Sequence, residues 1–513
     1  MARTDTACVL VRRSSPVYRN ETTYEMEDSM EGRPGNCRNA WANRFGRAIA
    51  SGVVGLFATM SPAVAAGFDG AHLGVIWALP FVGTLLSIAL FPLLAPHFWH
   101  HHFGKVAAGW GLAFLVPFVL AYGPGVAVHE ALHVLFLEYL PFVIVLGALF
   151  TIAGGILVRG NLHGSPALNT GLLALGTFLA SLIGTTGASM VLIRPLLRAN
   201  DGRRHSVHVV VFFIFLVSNI GGALTPLGDP PLFLGYLQGV SFFWTTRNVF
   251  DEMLIVSLAL LGLFWIVDGW LYRRDATFRP LPDPTPDTKG ISICGKANFA
   301  LLGLVVAAVL MSGSWDPEIT FDVAGIRLEL QNVLRDAILI GAGLASLALT
   351  PKGLREENGF NWDPILEVAK LFAGIFLTMV PVIAMLKAAG DGAFAPLVAL
   401  VERADGTSDV RMYFWLTGFL SSFLDNAPTY LVFFNLAGGD PVELMGKSAA
   451  VLAAISCGAV FMGANTYIGN APNFMVKAIA EKSGISMPSF FGYMAWSGGI
   501  LVPIFIVLTF LRF

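Results

Sequence analysis

Two polar stretches interrupt apolar segments of this chain and carry residue types that bind small ions. The first reads SNIGGALTPLGDPP (218–231) and the second reads GANTYIGNAPN (463–473). Their Gly and Pro residues cannot sustain ordinary helical hydrogen bonding, so each helix must open there. Opened backbone is tolerated in a membrane only where it is buried in protein or lines a watery cavity. Half-helix ends, freed carbonyls and Asn, Thr and Ser side chains then form an ion or substrate site.

Two earlier stretches pair with these breaks. GTTGAS (184–189) precedes the first break, and SSFLDNAPTY (421–430) precedes the second. Asp229 and Asp425 lie within or beside the interruptions, where a carboxylate at the bilayer centre costs about 2.5 to 3.5 kcal/mol. Carboxylate, amide and backbone oxygens suit sodium, and burial also lets a carboxylate take a proton. The alternative is a pair of aspartates that only cap helices in structural turns.

The composition is that of a multi-pass membrane protein. Of 513 residues, 55% are hydrophobic and 13% are charged, whereas soluble domains carry about 25% charged residues. The formal net charge of -2 gives no basis for nucleic-acid binding. The four cysteines are far apart, so neither a disulfide framework nor a thiolate metal site is predicted.

Hydropathy divides the chain into two halves with the same order of segments. Apolar segments run over 73–95, 105–122, 134–158, 167–193, 207–238 and 250–272, and again over 297–312, 334–350, 364–386, 411–437, 448–480 and 491–512. The domains predicted are a polar tail (1–45), a signal peptide or first helix (46–66), a first repeat (67–272), a cytoplasmic linker (273–296) and a second repeat (297–513). The arginines of RPLLRANDGRR (194–204) and of the linker place both in the cytoplasm by the positive-inside rule.

This topology predicts opposite orientations for the two halves. The fold class is therefore all-α integral membrane, with two inverted repeats of about five transmembrane helices, each with a re-entrant hairpin and a discontinuous helix. We expect the protein in the cell membrane. The partners expected are the lipid bilayer, small ions or small carboxylates, and a second copy in a homodimer. No cofactor or structural metal is expected beyond transported or coupling Na⁺ and H⁺.

These motifs resemble those of the ion transporter superfamily, which includes sodium/proton antiporters, arsenite permeases, and citrate or dicarboxylate symporters. SNIGGALTPLGDPP is similar to its Ser-Asn-x-Gly-Gly…Gly-Asp-Pro-Pro signature, and GANTYIGNAPN is similar to the partner motif of the second repeat. The ligands that the resemblance implies are Asn219, Thr225, Asp229, Asp425, Asn426, Asn465, Thr466 and Asn470. Antiporters of this superfamily can carry acidic residues in the first hairpin, where this chain has Thr185 and Thr186. Those hydroxyls suit sodium or a substrate carboxylate equally.

Three functions follow from these residues. Sodium/proton exchange through the embedded aspartates is the first, and sodium- or proton-coupled citrate or dicarboxylate symport is the alternative. The third is zinc proteolysis, because HEALH (129–133) matches the HExxH signature of metalloproteases. We place HEALH just before the segment 134–158, with Asp268 as the best third ligand but across the bilayer. The pattern is therefore interpreted as a polar helix start, and the chain is predicted not to be an enzyme.

Overall fold

The structure is a computed structural model that describes residues 69–513, except residues 161, 276–291 and 404. The predicted polar tail (1–45) and the signal peptide or first helix (46–66) lie outside these residues. Most of the predicted linker lies outside them too.

The first half is a series of helices with one break inside a long apolar run. Its helices are α1 (Leu79–Leu94), α2 (Pro96–Val134), α3 (Leu140–Ala153), α4 (Pro166–Ile183), α5 (Thr185–Ala199), α6 (Val207–Leu216), α7 (Pro230–Leu237), α8 (Trp244–Asn248) and α9 (Phe250–Asp275). Short 3-10 turns cover Gly70–His72, Val75–Ala78 and Ile220–Leu224, and a π-helical turn covers Leu135–Tyr139.

The second half follows the same plan. Its helices are α10 (Ala297–Ser314), α11 (Leu330–Leu349), α12 (Lys352–Glu357), α13 (Asp363–Lys387), α14 (Ala395–Val401), α15 (Val410–Phe423), α16 (Asn426–Leu436), α17 (Pro441–Met445), α18 (Ala449–Met462), α19 (Ala471–Lys482) and α20 (Phe490–Arg512). Short 3-10 turns cover Ala389–Asp391 and Gly463–Asn465.

Within the described residues, nine helical runs are long and apolar enough to cross a membrane. The prediction of a helical multi-pass membrane protein is confirmed. Helix α6 and the turn after it are buried on nearly all sides, whereas α9 buries only a stripe of its surface. The broken helix of the first half therefore lies at the centre of the protein, where opened backbone has protein around it.

The helix that carries HEALH begins earlier than predicted. Gly123, with φ +83° and ψ 160°, breaks α2, and Pro124 starts a new helical stretch because its φ is already helical. His129 and His133 therefore lie inside a helix that continues through the π-helical turn into α3. The interpretation of HEALH as the polar start of a helix is therefore wrong, because the helical stretch begins at Pro124. The histidine-rich run 97–102 also lies in α2.

Two short antiparallel pairs were not predicted. Strand β1 (Leu157–Arg159) pairs with β2 (Ser292–Cys294), and β3 (Thr320–Val323) pairs with β4 (Ile326–Glu329). Strand β2 lies within the predicted linker (273–296), and α9 extends into its start. The linker is thus shorter and more structured at both ends than its polar composition indicates.

Elements of the two halves recur at a constant spacing. Asp229 and Asn470, the N-cap residues of α7 and α19, are 241 residues apart. The same spacing separates Thr185 from Asn426, the first residues of α5 and α16. Gly222 precedes Gly463 by the same interval. The halves therefore share one plan around their breaks, while their inverted orientation remains a prediction.

Candidate functional site

Asp229 lies at the centre of the candidate site. It is the N-cap of α7 in extended conformation, and its side chain is 1% exposed. Its Oδ1 accepts hydrogen bonds from Thr185 Oγ1 at 2.8 Å and from Asn470 Nδ2 at 3.0 Å. Its Oδ2 accepts a hydrogen bond from Asn426 Nδ2. Four predicted site residues thus meet at one carboxylate, although 241 residues separate Asp229 from Asn470.

Four helix N-termini surround this carboxylate. Thr185 and Asn426 begin α5 and α16, while Asp229 and Asn470 are the N-caps of α7 and α19. The N-terminus of a helix carries a partial positive charge, because its first backbone N–H groups have no partner within the helix. The four N-termini therefore favour the ionised form of Asp229, although no cationic side chain of the described residues pairs with it.

A chain of amides joins the two breaks. Asn470 Nδ2 also lies 3.3 Å from Asn219 Oδ1, and Asn219 Nδ2 donates to Asn473 Oδ1 at 2.7 Å. Asn473 Nδ2 in turn donates to the carbonyls of Gly463 and Thr466, at 2.9 Å each. Asn473 was missed as a site residue. Its position at the end of GNAPN (469–473), three residues after the implied ligand Asn470, is the only sequence signal that points to it.

Thr225 and Thr466 hold the breaks in shape. Each donates its hydroxyl to the carbonyl oxygen of a serine 44 residues earlier, Ser181 for Thr225 and Ser422 for Thr466. Asn465 Nδ2 donates to Ser422 Oγ at 2.9 Å. These three predicted ligands therefore hydrogen-bond the hairpin that faces each break, and none of the hydrogen bonds found among the described residues joins them to Asp229.

Asp425 and Thr186 lie beside the site. Asp425 is half-buried and caps α16, since its Oδ1 accepts the backbone N–H of Ala427 at 3.1 Å. This geometry is that of the capping alternative considered from the sequence. Thr186 is half-buried next to Thr185. Neither residue hydrogen-bonds Asp229 among the contacts of the described residues.

Two amide oxygens of the site have no hydrogen-bond donor. Among the described residues, Asn426 Oδ1 and Asn465 Oδ1 are buried without a partner. A buried carbonyl oxygen without a donor destabilises a protein by about 1 to 3 kcal/mol. Amide and carboxylate oxygens are ligands for hard cations. Asn426, which donates its Nδ2 to Asp229, therefore presents its free oxygen beside a carboxylate, and the pair fits a cation such as sodium.

Asp268 belongs to another network. Its carboxylate accepts hydrogen bonds from His208 Nε2 at 2.7 Å and Asn169 Nδ2 at 3.0 Å, and it pairs with Arg203 at 2.6 Å. No group of three or more His, Cys, Asp or Glu side chains in the described part of the chain is placed to hold a metal ion. HEALH contributes Glu130 and His133 to a separate cavity of about 390 Å³.

Comparison with known proteins identifies the family of the chain. The profile of a family described as "Putative citrate transport" matches residues 70–513. An uncharacterized transporter of Mycobacterium bovis and one of Mycobacterium tuberculosis are each 26% identical to the chain over 357 residues, which is 68% of this chain and 76% of theirs. The family profile covers most of the chain, and residues 69–513, apart from the gaps named above, contain nine membrane-length helical runs. The chain is a multi-pass membrane transporter and belongs to this citrate transport family.

Proposed function

We propose that the protein is a cation-coupled secondary transporter of a small carboxylate of the citrate class, in which Asp229 carries the coupling proton or sodium ion. One observation carries the proposal: a fully buried carboxylate is held by three uncharged donors. Thr185, Asn426 and Asn470 supply those donors, and no Lys, Arg or His side chain of the described residues pairs with Asp229.

The charge state of Asp229 depends on its ligand. Burial disfavours the ionised form of a carboxylate, while hydrogen-bond donors and helix N-termini favour it. Because these effects oppose each other, the binding of one proton or one cation can change the net charge of Asp229 with only a small change in free energy. Asn426 Oδ1 offers a second oxygen for a cation at the same place. A proton or cation at Asp229 removes one negative charge from the site and so lowers the cost of keeping it within the membrane.

Two observations support a cargo of the citrate class. The description of the matching family names citrate transport, and the family profile covers nearly all described residues. Substrate carboxylates bind well at helix N-termini, and four N-termini meet here. Because Asp229 would repel such an anion when ionised, cargo binding should require that a proton or sodium ion neutralise Asp229 first.

The inverted repeat is part of the proposal. The constant spacing between the matched breaks supports two copies of one unit, each with a hairpin (α4–α5 and α15–α16) and a broken helix. Inverted copies provide alternating access, because one copy can rock against the other around a fixed site.

Sodium/proton exchange is the second candidate function. Two observations favour it. Among the described residues, no cationic side chain pairs with Asp229 and could neutralise a multiply charged cargo there. The side-chain oxygens of Asn426 and Asn465 also lack hydrogen-bond partners and could bind a cation. An exchanger needs only a carboxylate that binds proton and sodium in competition.

Purified protein in proteoliposomes with an internal pH dye tests both functions. Labelled citrate uptake driven by an inward proton or sodium gradient, lost in Asp229→Asn, is the expected result. Asp440→Asn is the matched control, since Asp440 is an exposed helix cap and asparagine also caps helices. Sodium-driven alkalinisation of an acid interior without citrate uptake would instead establish exchange. Full citrate uptake by Asp229→Asn would disprove the role of Asp229.

A further inference from the structure

A second polar cavity lies at the C-terminal ends of α5 and α19, the helices whose N-terminal residues Thr185 and Asn470 donate hydrogen bonds to Asp229. It has a volume of about 770 Å³. We name it the arginine cavity after Arg194 and Arg198, which line it from the end of α5. The segment after α19, residues 483–486, forms the opposite wall. Thr185 and Arg194 are nine residues apart on α5, so the cavity lies about 14 Å along that helix from the Asp229 site.

The two arginines have unsatisfied donors. Arg194 Nη1 and Arg198 Nε are buried and have no hydrogen-bond partner among the described residues. The Nη2 group of Arg198, in contrast, has a partner, because it donates to the carbonyl of Val158 at 2.7 Å. Like charges one helical turn apart repel each other, and a buried donor without an acceptor adds a further cost. An anion bound to the atoms of the two guanidinium groups that line the cavity would offset the repulsion between them.

The nearby carboxylates are directed elsewhere. Glu357 lines the cavity but is held by Arg159, and Asp268 is held by Arg203 and His208. Asp201 is exposed at the edge. No ion pair of the described residues neutralises Arg194 or Arg198. The polar lining that remains is cationic or uncharged, and it consists of Arg203, Arg204, Asn200, Ser206, Ser483 and Ser486. These side chains carry donors that suit oxyanions.

We propose that the arginine cavity binds a small oxyanion with two or more negative charges, of the di- or tricarboxylate class, at a site separate from Asp229. The planar guanidinium fork binds a carboxylate through two parallel hydrogen bonds, and two forks one turn apart match an anion with two carboxylates. Because α5 and α19 connect this cavity to Asp229, it is a waiting site for the cargo on the predicted cytoplasmic side. That last step rests on the proposed function.

Binding to detergent-solubilised protein tests the inference without transport. Thermal unfolding followed by tryptophan fluorescence is titrated with citrate or with inorganic phosphate, at constant ionic strength set with chloride. We expect saturable stabilisation of the wild type and of Asp229→Asn by citrate. In Arg194→Gln/Arg198→Gln the apparent Kd should rise about tenfold or more, since two charge-assisted contacts are lost. Arg247→Gln, which removes one exposed arginine, should bind as the wild type does.

A second readout separates the inference from poor folding of the double variant. The variants Arg194→Gln and Arg198→Lys are also made singly. A single variant that unfolds at the wild-type temperature should still bind citrate more weakly than the wild type does. Unchanged citrate affinity in these variants would overturn the inference. Loss of citrate stabilisation in nanodiscs with phosphatidylglycerol, but not with phosphatidylcholine alone, would show that a lipid phosphate occupies the cavity and would overturn the carboxylate assignment.

The failure of this inference can be told from the failure of the proposed function. Citrate uptake that continues while the arginine variants bind citrate normally would overturn the waiting site and leave the transporter proposal intact. Citrate binding that depends on the arginines, in a protein without citrate uptake, would support the anion site and reject citrate as cargo.

Discussion

At the first break the residue that starts the second half-helix is Asp229, and at the second break the matched residue is Asn470. The backbone around them is alike: GALTPLG (222–228) and GANTYIG (463–469) share Gly, Ala, Thr and Gly at the same places. Only the first carries a negative charge, and the second donates a hydrogen bond to it. The two halves thus build the same opening in the backbone, and one side chain makes them chemically different.

The hairpins facing the breaks differ in the same way. Thr185 and Asn426 both donate to Asp229 from matched positions. The residues before them are Gly184, which adopts φ +82°, and Asp425, which caps its helix. Gly184 is needed because of its backbone conformation, whereas Asp425 at the matched position is needed because its side chain caps the helix. The site is therefore symmetric in hydrogen-bond geometry and asymmetric in charge.

Moving the charge from one half to the other should have the largest effect. Asp229→Asn should reduce coupled citrate uptake by about 100-fold, because removal of a charge from a buried hydrogen-bonded network costs about 3 kcal/mol or more. Asp229→Asn/Asn470→Asp restores one carboxylate on the other side of the same contact. We expect it to regain about a tenth of wild-type uptake in proteoliposomes. Uptake no better than that of the single variant would mean that the halves differ by more than this charge.

Added methyl groups at the matched glycines should separate the halves next. A Cβ at Gly222 would lie 2.6 Å from Thr185 Cγ2 and 2.9 Å from Asp229 Cβ, whereas one at Gly463 would lie 3.2 Å from Asn219 Oδ1. Gly222→Ala should therefore displace the site and cut uptake about tenfold, at a cost of about 1 to 3 kcal/mol in stability. Gly463→Ala should have a smaller effect on both. Equal unfolding temperatures and uptake rates for the two variants would contradict this difference.

The free energies of unfolding of the valine variants at the two threonines should differ by about 2 kcal/mol. Thr225→Val removes one hydrogen bond to Ser181, whereas Thr466→Val also removes the acceptor for the backbone N–H groups of Ile468 and Gly469. Each lost hydrogen bond costs about 1 kcal/mol, and an N–H left buried without an acceptor costs more. Denaturant or thermal unfolding of the two variants measures the difference. Thr225→Val as the more destabilising change would refute the comparison.

The smallest expected effect is a pH dependence at the start of α15. Burial by itself raises the pKa of Asp409, but the backbone N–H of Met412 and the guanidinium of Arg403 outweigh it and leave the pKa below its usual range. The stabilisation by this N-cap is therefore present above the ordinary pKa of aspartate and is lost as pH falls through the lowered value. Ser165, which caps α4, does not titrate in this range.

Hydrogen exchange, corrected for the intrinsic pH effect on the exchange rate, should show faster opening of the first turn of α15 in acid and no change at α4. Asp409→Ser should remove the pH dependence. A persistent acid effect in that variant would assign it to another group.

The sequence predicted the broken helices because glycine and proline act locally on the backbone. Gly184 and the run 226–231 disfavour continuous helix through their own backbone preferences, so residue type alone indicates where the breaks lie. It also predicted Thr185, Asp229, Asn426 and Asn470 as site residues, although not that all four meet at one carboxylate.

What the sequence did not predict depends on distant contacts. Nothing local distinguishes Thr225, which holds a loop, from Thr185, which donates to Asp229, because their roles depend on which hairpin faces which break. The helix through HEALH was predicted to start too late, since polar residues lower hydropathy without ending a helix. Strands β1 and β2 have three residues each and form only because residues far apart in sequence pair.

The origin of the donors to Asp229 has a kinetic consequence. Thr185 belongs to the first half, but Asn426 and Asn470 belong to the second, so the proposed rocking of one half against the other would break hydrogen bonds to Asp229. In the proposed transport cycle these bonds would slow movement of the empty carrier, and a proton or cation at Asp229 would weaken them. The amides of the second half would then set the rate of uncoupled cycling. A carrier with weakened amides should turn over faster and waste more of the gradient that drives it.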